Sequence, residues 1–499
     1  MTDTARGGPV RELRLRTGSY LDSVTLMQVS KRVAELPGVS AALVAMATDL
    51  NVELVRDMGF DTPAVSPNDM LLAVEAADAA TLEGAFDAAA EALAARPATS
   101  DAAATGSPAP VTVRAAARGS AATVALISTP GEHAFADAID AVDAGLHTMV
   151  FSDNMPLEQE VALKEYAARA GVLVMGPDCG TAVIGGVGLG FANVVRSGPV
   201  GVVAASGTGA QHLMCLLDGA GVGISHCLGV GGRDLSTAVA GRSTLRAIDL
   251  LAADPATEQL VVVSKPAPAD VEEVVRAHAQ TLGKPVRFGL LGQPGHTLTD
   301  TARETVEALG REWTEPTPRA GSVAAGRPGG SLLGLFSGGT LCDEAMLLAA
   351  EALGPVASNI PLRPEWALPD PLRPAGHAMV DLGDDRLTRG RPHPMIDQTL
   401  RIEMLRRAVE DPGTGVLLLD VVLGLGAAED PTADLAEPVR RATEAGLPVV
   451  ATVVGTHDDP QDLDRQVETL HRAGAWVFGS NAAAARHAVR LLDSEETAR

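Results

Sequence analysis

Hydrophobic and polar positions alternate along this chain in two rhythms. Between residues 121 and about 197, short continuous apolar runs (124–128, 148–151, 172–175) are separated by stretches with helical spacing (134–144, 157–170). Uninterrupted apolar strands spaced by helices predict a parallel sheet covered on both faces. Upstream, residues 11–96 carry a different pattern. A strand at 12–16 precedes a helix with apolar positions Val24, Met27, Val33 and Leu36, then a strand at 41–46, a helix at 52–58, another strand-like run and an Ala-rich helix from Thr81. These predict a small α+β domain. The segment 97–120, which opens with the run from Pro97 to Pro110, low in complexity and without periodicity, is expected to be a linker.

From residue 199 the chain repeats itself. Gly201-Val-Val-Ala-Ala-Ser206-Gly207-Thr208-Gly209 is an apolar run entering a Ser/Gly turn that opens a helical pattern, and Leu335-Phe-Ser337-Gly338-Gly339-Thr340 has the same order. A Gly/Asp turn follows each, Gly231-Gly232-Arg233-Asp234 in one copy and Gly383-Asp384-Asp385 in the other. Helix-like segments then lead to buried strands ending at Ser264-Lys265 and at Asp420. The first copy spans 199–312, a Pro/Gly/Ala-rich linker 313–330, and the second copy 331–494. A strand feeding a Gly-rich turn that opens a helix aims free N–H groups and the positive helix end at one spot. The duplication therefore predicts two anion cradles, Ser206 to Gly209 and Ser337 to Thr340. The alternative is that both are tight turns for close strand–helix packing.

Composition narrows the partners. With 39 Lys+Arg against 63 Asp+Glu, the net charge of −24 disfavours nucleic acid and anionic membrane surfaces. Aromatic residues make up 3%, too few for base-stacking platforms. The cysteines Cys179, Cys215, Cys227 and Cys342 have no zinc-type spacing and fit a reducing compartment. The first residues lack an apolar leader core and no run approaches the roughly eighteen apolar residues of a membrane span, so the expected location is the cytoplasm. Lys265 ends a buried strand, where an unpaired lysine is costly, which favours a functional role. Asp384, Asp385, Arg391, His393 and Asp397 are expected to form a polar cluster. Its aspartates are weak metal candidates, with an Arg–carboxylate network preferred.

Longer strings carry a family likeness. Ala138-Ile-Asp-Ala-Val-Asp-Ala-Gly-Leu146, Met175-Gly-Pro-Asp178-Cys179-Gly180, the Gly201–Thr208 run and Leu228-Gly-Val-Gly-Gly-Arg-Asp234 together resemble the α subunit of succinyl-CoA synthetase. The second copy resembles the carboxy-terminal domain of that enzyme's β subunit. Phe151-Ser-Asp-Asn154, Gly231-Gly-Arg-Asp-Leu-Ser236, Val263-Ser-Lys-Pro266, Asp381-Leu-Gly-Asp-Asp385 and Gly390-Arg-Pro-His-Pro-Met-Ile-Asp397 resemble the FdrA family over nearly the whole chain. The resemblance implies an α/β protein: a Rossmann-like CoA-binding-type domain at 121–198 and two homologous flavodoxin-like succinyl-CoA-synthetase domains, preceded by the small α+β domain.

The same resemblance implies departures from the synthetase. Its phosphorylated histidine loop has no counterpart beyond Gly292-Gln-Pro-Gly-His296, no segment suits an ATP-grasp fold, and Ser264-Lys265 stands where a glutamate would steady the histidine. The FdrA likeness implies a subunit of a transferase in allantoin and purine breakdown, exchanging a carbamoyl or acyl group with phosphate: oxalurate plus phosphate to oxamate plus carbamoyl phosphate. Lys265, Arg391 and His393 are the expected catalytic residues, with Lys265 and Arg391 sharing an anion. Ser206, Gly207, Thr208, Gly209, Gly232, Arg233, Asp234, Ser337, Gly338, Gly339, Thr340, Asp178, Cys179 and Gly180 are the expected phosphate and substrate contacts. For Asp178-Cys179-Gly180 the alternative is a turn with a small buried thiol. Phosphate or carbamoyl phosphate is the expected ligand, no cofactor or metal is assigned, and CoA remains open. Companion subunits of the same gene cluster, in a homo- or hetero-oligomer, are the expected partners. Two other readings stand: a CoA-binding acyl-CoA synthetase subunit completed by a separate nucleotide-binding subunit, and a non-catalytic scaffold.

Overall fold

Three strands and three helices alternate from Val10 to Ala94: β1 (Val10–Arg16), α1 (Ser23–Ala34), β2 (Val39–Met46), α2 (Asp49–Asp57), β3 (Met70–Ala76) and α3 (Ala79–Ala94). They form an antiparallel sheet of order β1-β3-β2. Alternation along the central strand β3 sorts the two faces. Met70, Leu72 and Val74 meet Leu26, Val29 and Val33 of α1 and Leu82, Ala85 and Phe86 of α3. Leu71 and Ala73 meet Val52 and Val55 of α2, with Phe60. The computed structural model describes residues 9–18, 21, 23–66, 68–94, 110–292, 296–388 and 391–493. They fall into two compact units, residues 1–110 with Thr388–Pro392, and the remainder.

The larger unit opens with α4 (Val113–Ala117), where the sequence pattern predicts linker. The Thr112 hydroxyl caps it by accepting from Ala115 N at 3.1 Å, a local signal too short to register as periodicity. The rest of that expected linker, 97–109, lies outside the described residues. Then β4 (Val124–Ile127), α5 (Gly131–Asp143), β5 (His147–Val150), α6 (Leu157–Ala170) and β6 (Val174–Met175) build a parallel sheet of order β4-β5-β6.

The next sheet is built from β7 (Thr181–Ile184), β8 (Val187–Gly190), β9 (Ser197–Ala205), α7 (Gly207–Gly219), β10 (Ile224–Gly229), α8 (Arg242–Ala253), β11 (Gln259–Ser264), α9 (Ala269–Ala279), β12 (Val286–Leu290) and α10 (Leu298–Ala308). Its order is β12-β11-β9-β10-β7-β8. The hairpin β7–β8 joins β10 antiparallel, so residues before 198 complete the sheet of the first copy.

The second copy contributes β13 (Ser331–Phe336), α11 (Gly339–Leu353), β14 (Ala357–Ser358), β15 (Ala378–Asp381), α12 (Asp385–Thr388), α13 (Thr399–Glu410), β16 (Thr414–Val422), α14 (Pro431–Glu444), β17 (Val449–Val454), α15 (Leu463–Arg472), β18 (Trp476–Phe478) and α16 (Asn481–Asp493). Its parallel sheet has order β14-β15-β13-β16-β17-β18. The shared core is therefore β12-β11-β9-β10 in one copy and β17-β16-β13-β15 in the other. The Pro/Gly-rich stretch between the copies is pinned along β18. Arg319 and Val477 exchange backbone hydrogen bonds of 2.8 and 3.0 Å, and Trp476 Nε1 donates to Val323 O at 2.8 Å. No helix among the described residues is long and apolar enough to cross a membrane.

Candidate functional site

Both Ser/Gly turns sit at the carboxyl ends of central strands, β9 and β13, and each opens a helix. The two helix ends meet. Ser206 Oγ lies 2.6 Å from Thr340 Oγ1. A Cβ on Gly338 would come within 2.8 Å of the Thr208 side chain, and one on Gly209 within 3.0 Å of Thr340 Cγ2. Glycine is thus required at both places for the approach of the two chains.

The cradles are not equivalent. In the first, Ser206 Oγ accepts from Gly209 N at 2.9 Å, while Gly207 and Thr208 are the first two helical positions, whose N–H groups have no intrahelical acceptor. In the second, the Asp420 carboxylate accepts from Ser337 N (2.7 Å), Ser337 Oγ (2.9 Å) and Gly338 N (2.8 Å). Arg401 Nη2 donates to the same carboxylate at 3.0 Å, and both side chains are fully buried. The Ser337 and Gly338 N–H groups of the second turn are therefore taken from within, while Gly339 and Thr340 open α11 as Gly207 and Thr208 open α7. Strand register gives the reason. Ser264 pairs opposite Ala205, the residue before the first turn. Asp420 lies one step beyond the Leu335–Leu419 pair, at the same place beside the second turn. A serine there leaves its cradle open; an aspartate occupies it.

Lys265 follows Ser264 and faces the joint. Its Nζ is 3.6 Å from Asp343 Oδ2, and a Cβ on Gly339 would meet Asp381 Oδ2 at 2.8 Å and Lys265 Nζ at 3.2 Å. Burial works against the ammonium charge, but Asp343, Asp381 and Asp178 outweigh it and hold the Lys265 pKa above its ordinary value. The acids respond the other way. Burial lifts Asp343 to about 6 against the pull of Lys265. Burial likewise lifts Asp381 to about 7, opposed by Lys265 and the Gly383 N–H. Asp343 Oδ1 is buried without a partner. Sequence reasoning missed Asp343, Asp381 and Asp420 as a group around the joint; the available signal was Asp343-Glu344 inside the first turns of a mostly apolar helix.

Asp178 comes from the loop after β6, at φ 58°. It lines a small cleft with Gly180, Ser206, Gly207 and Gly231. The cleft measures about 10 Å³, room for one water or one ligand oxygen. Packed by protein on its inner sides, and repelled by Asp153 and Asp385, the Asp178 carboxyl is lifted to about 7, with Lys265 and Arg233 opposing. A Cβ on Gly231 would strike Pro177 O at 2.3 Å and one on Gly232 would meet Asp178 Oδ2 at 3.3 Å. Both glycines let their turn approach the Asp178 loop.

Other expected residues lie elsewhere or serve the fold. Asp234 is fully buried, accepting from Lys164 Nζ (2.7 Å), Thr244 N (2.8 Å), Thr244 Oγ1 (2.7 Å) and Ser243 N (3.1 Å), and Lys164 also donates to Glu160 at 2.8 Å. Arg233 pairs with Glu160 at 2.9 Å and donates to Met155 O. Cys179 is buried and burial pushes its thiol to about 12, so it is no nucleophile. His393 packs its ring 5.8 Å from Phe191, and burial, with Arg401, pushes its pKa down to about 4. It packs as a neutral ring, which gives no support to the catalytic role expected of it. Arg391 is exposed and belongs to the stretch Thr388–Pro392 of the N-terminal unit, which is described by itself. Asp384 pairs with Arg386 and Asp397 accepts from Thr399 N, while His393 lies beside the Gly383 turn, where a Cβ would meet its Nε2 at 2.7 Å. Among the described residues no group of three or more His, Cys, Asp or Glu is placed to hold a metal.

Comparison with known proteins fits this architecture. The CoA-ligase family matches residues 335–491, and the family described as AllF, heavy metal-associated domain, matches residues 10–110. That second description implies a soft metal, yet residues 10–110 contain no cysteine and no histidine, and the thiolate and imidazole donors such metals take are missing. The thioethers of Met27, Met46, Met58 and Met70 are the soft donors that remain there, and Met46 and Met70 are buried in the core of the small domain. The alpha subunit of the ADP-forming succinate–CoA ligase of Methanothermobacter thermautotrophicus is 26% identical over 220 residues, 41% of this chain and 71% of that protein. The structure of the dinucleotide-forming acetyl-coenzyme A synthetase 1 of Ca. Korarchaeum cryptofilum, with phosphate and ADP, is 18% identical and covers 79% of this chain and 87% of its own, at a TM-score of 0.30. Uncharacterized protein YahF of Escherichia coli (strain K12) is 36% identical over 496 residues, 94% of this chain and 96% of that protein. The chain belongs to the family of YahF, with a CoA-ligase match over residues 335–491 and an AllF-type match over residues 10–110.

Proposed function

We propose that this chain is a subunit of a transferase that exchanges a carbamoyl or acyl group with phosphate, with oxalurate plus phosphate giving oxamate plus carbamoyl phosphate as the reaction. The observation that carries this reading is the joint where Ser206 and Thr340 meet. Free N–H groups at Gly207 and Thr208, two converging helix dipoles and Lys265 suit the charge of phosphate and of a tetrahedral oxyanion. Lys265 stands where the synthetase resemblance implies an acid, and a cation there serves an oxyanion rather than a charged imidazole. Companion subunits in the cytoplasm would complete the site. The test is phosphate-dependent release of carbamoyl phosphate from oxalurate by the chain, alone and with its cluster partners. Release only in the presence of phosphate supports the reading; none from the assembled complex refutes it.

A second reading, a CoA-binding acyl-CoA synthetase subunit completed by a nucleotide-binding partner, is favoured by the CoA-ligase match over 335–491 and by relatives that are subunits of CoA ligases. CoA dependence of turnover separates the two.

A further inference from the structure

We propose that Asp178 is the proton carrier of the transfer site, taking the proton that phosphate gives up on attack and passing one to the departing nitrogen. The inference rests on the transferase reading above. In that reaction an oxygen of hydrogen phosphate forms a bond to the carbamoyl carbon while the carbon–nitrogen bond breaks. The nitrogen leaves with the electron pair and takes a proton, and the phosphate loses one, so atoms and charge balance with a single proton moved.

Geometry selects Asp178. It lines the same cleft as Ser206 and Gly207, and the cleft admits one oxygen atom. An oxyanion resting on the Gly207 and Thr208 N–H groups places an oxygen there, beside the Asp178 carboxyl. Asp343 and Asp381 are buried on the inner side of Lys265, but Asp178 reaches solvent and an arriving substrate. The charged groups that face it are Asp153, Asp385, Lys265 and Arg233, with the neutral Cys179 thiol beside it. Burial of the carboxyl against the loop and strand ends, with Asp153 and Asp385 only partly offset by Lys265 and Arg233, lifts it to about 7, where proton transfer is most effective.

The test uses the full chain, Asp178→Asn and Asp385→Asn. Asparagine is tolerated at left-handed φ, so the first variant keeps the loop. Inorganic sulfate, which does not titrate between pH 6 and 9, is the binding probe. For the wild type its dissociation constant should rise about tenfold per pH unit above about 7, because the ionised carboxylate repels the anion. Asp178→Asn should bind with no such slope, and Asp385→Asn should keep the slope but shift its midpoint to lower pH. With cluster partners, Asp178→Asn should lose roughly 100-fold or more in kcat at little change in KM for phosphate. An unchanged pH slope in Asp178→Asn, or kcat within threefold of wild type, overturns the proposal. Failure of the wild-type complex to release carbamoyl phosphate refutes the transferase reading, while the sulfate slope still decides whether Asp178 titrates against the anion. Sulfate binding at no pH overturns the placement of the anion on the Gly207 and Thr208 N–H groups, and with it the role of Asp178, and leaves the transferase reading to the carbamoyl phosphate assay.

Discussion

Ser206 Oγ and Thr340 Oγ1 lie 2.6 Å apart, joining the turn of one copy to the first helical turn of the other. Ser206 also caps its own helix through Gly209 N. Ser206→Ala should cost about 1 to 2 kcal/mol and Thr340→Val about 1 kcal/mol. Because the two share a bond, the double variant should cost less than the sum, by ~0.5 to 1.5 kcal/mol. Denaturant midpoints of the four proteins check this; strict additivity would mean that the hydroxyls do not interact.

The repeat of strand, Ser/Gly turn and helix was legible because glycines and continuous apolar runs leave a local trace. The hairpin Thr181–Gly190 was not: it falls within the expected 121–198 domain yet pairs with β10 of the following sheet. Asp420 was legible only as a polar end to a strand. That it fills the neighbouring turn depends on the register between β13 and β16, residues 83 apart, which no local pattern encodes. His393 misled for a related reason. A dense polar string suggests one cluster, but burial packs the His393 ring against Phe191. Asp343 was hidden inside an apolar helix, where its meaning comes from Lys265 across the joint.

Asp343 sets a pH signature on stability. Burial raises its pKa to about 6, so between about pH 4 and 6 the folded chain holds a proton that the unfolded chain releases. That contribution is present in full below pH 4 and is lost as pH rises through 6. Asp343→Asn should therefore gain stability relative to wild type on going from pH 5 to pH 8, by about 1 to 2 kcal/mol. Urea midpoints at the two pH values measure it. An equal difference at both would show that Asp343 ionises normally.

Asp420 acts as the internal anion of the second cradle. Asp420→Ala should destabilise the chain by about 3 to 5 kcal/mol, because Arg401 is left buried and unpaired. The vacated N–H groups of Ser337 and Gly338 then offer a site to an added anion. Sulfate should raise the melting temperature of Asp420→Ala more than that of wild type, the excess growing with concentration. Equal sulfate responses would show that the turn does not act as an anion cradle.

Lys265 separates ligand service from structural pairing, since it touches both the joint and buried Asp343. Lys265→Met removes the cation but keeps the apolar stem. At pH 5 Asp343 and Asp381, with values of about 6 and 7, are largely neutral, so the loss of the cation should cost little stability. At pH 8 both are drawn toward ionisation in a buried setting without their counter-charge, and the variant should lose about 1 to 3 kcal/mol relative to wild type. Phosphate affinity should fall about tenfold or more, equivalent to about 1.4 kcal/mol or more of a charge-assisted contact. Calorimetric titration with phosphate at pH 7 and melting curves at pH 5 and 8 on the same variant decide between the roles. Unchanged affinity beside a stability loss at both pH values would assign Lys265 to the fold alone and remove it from the site.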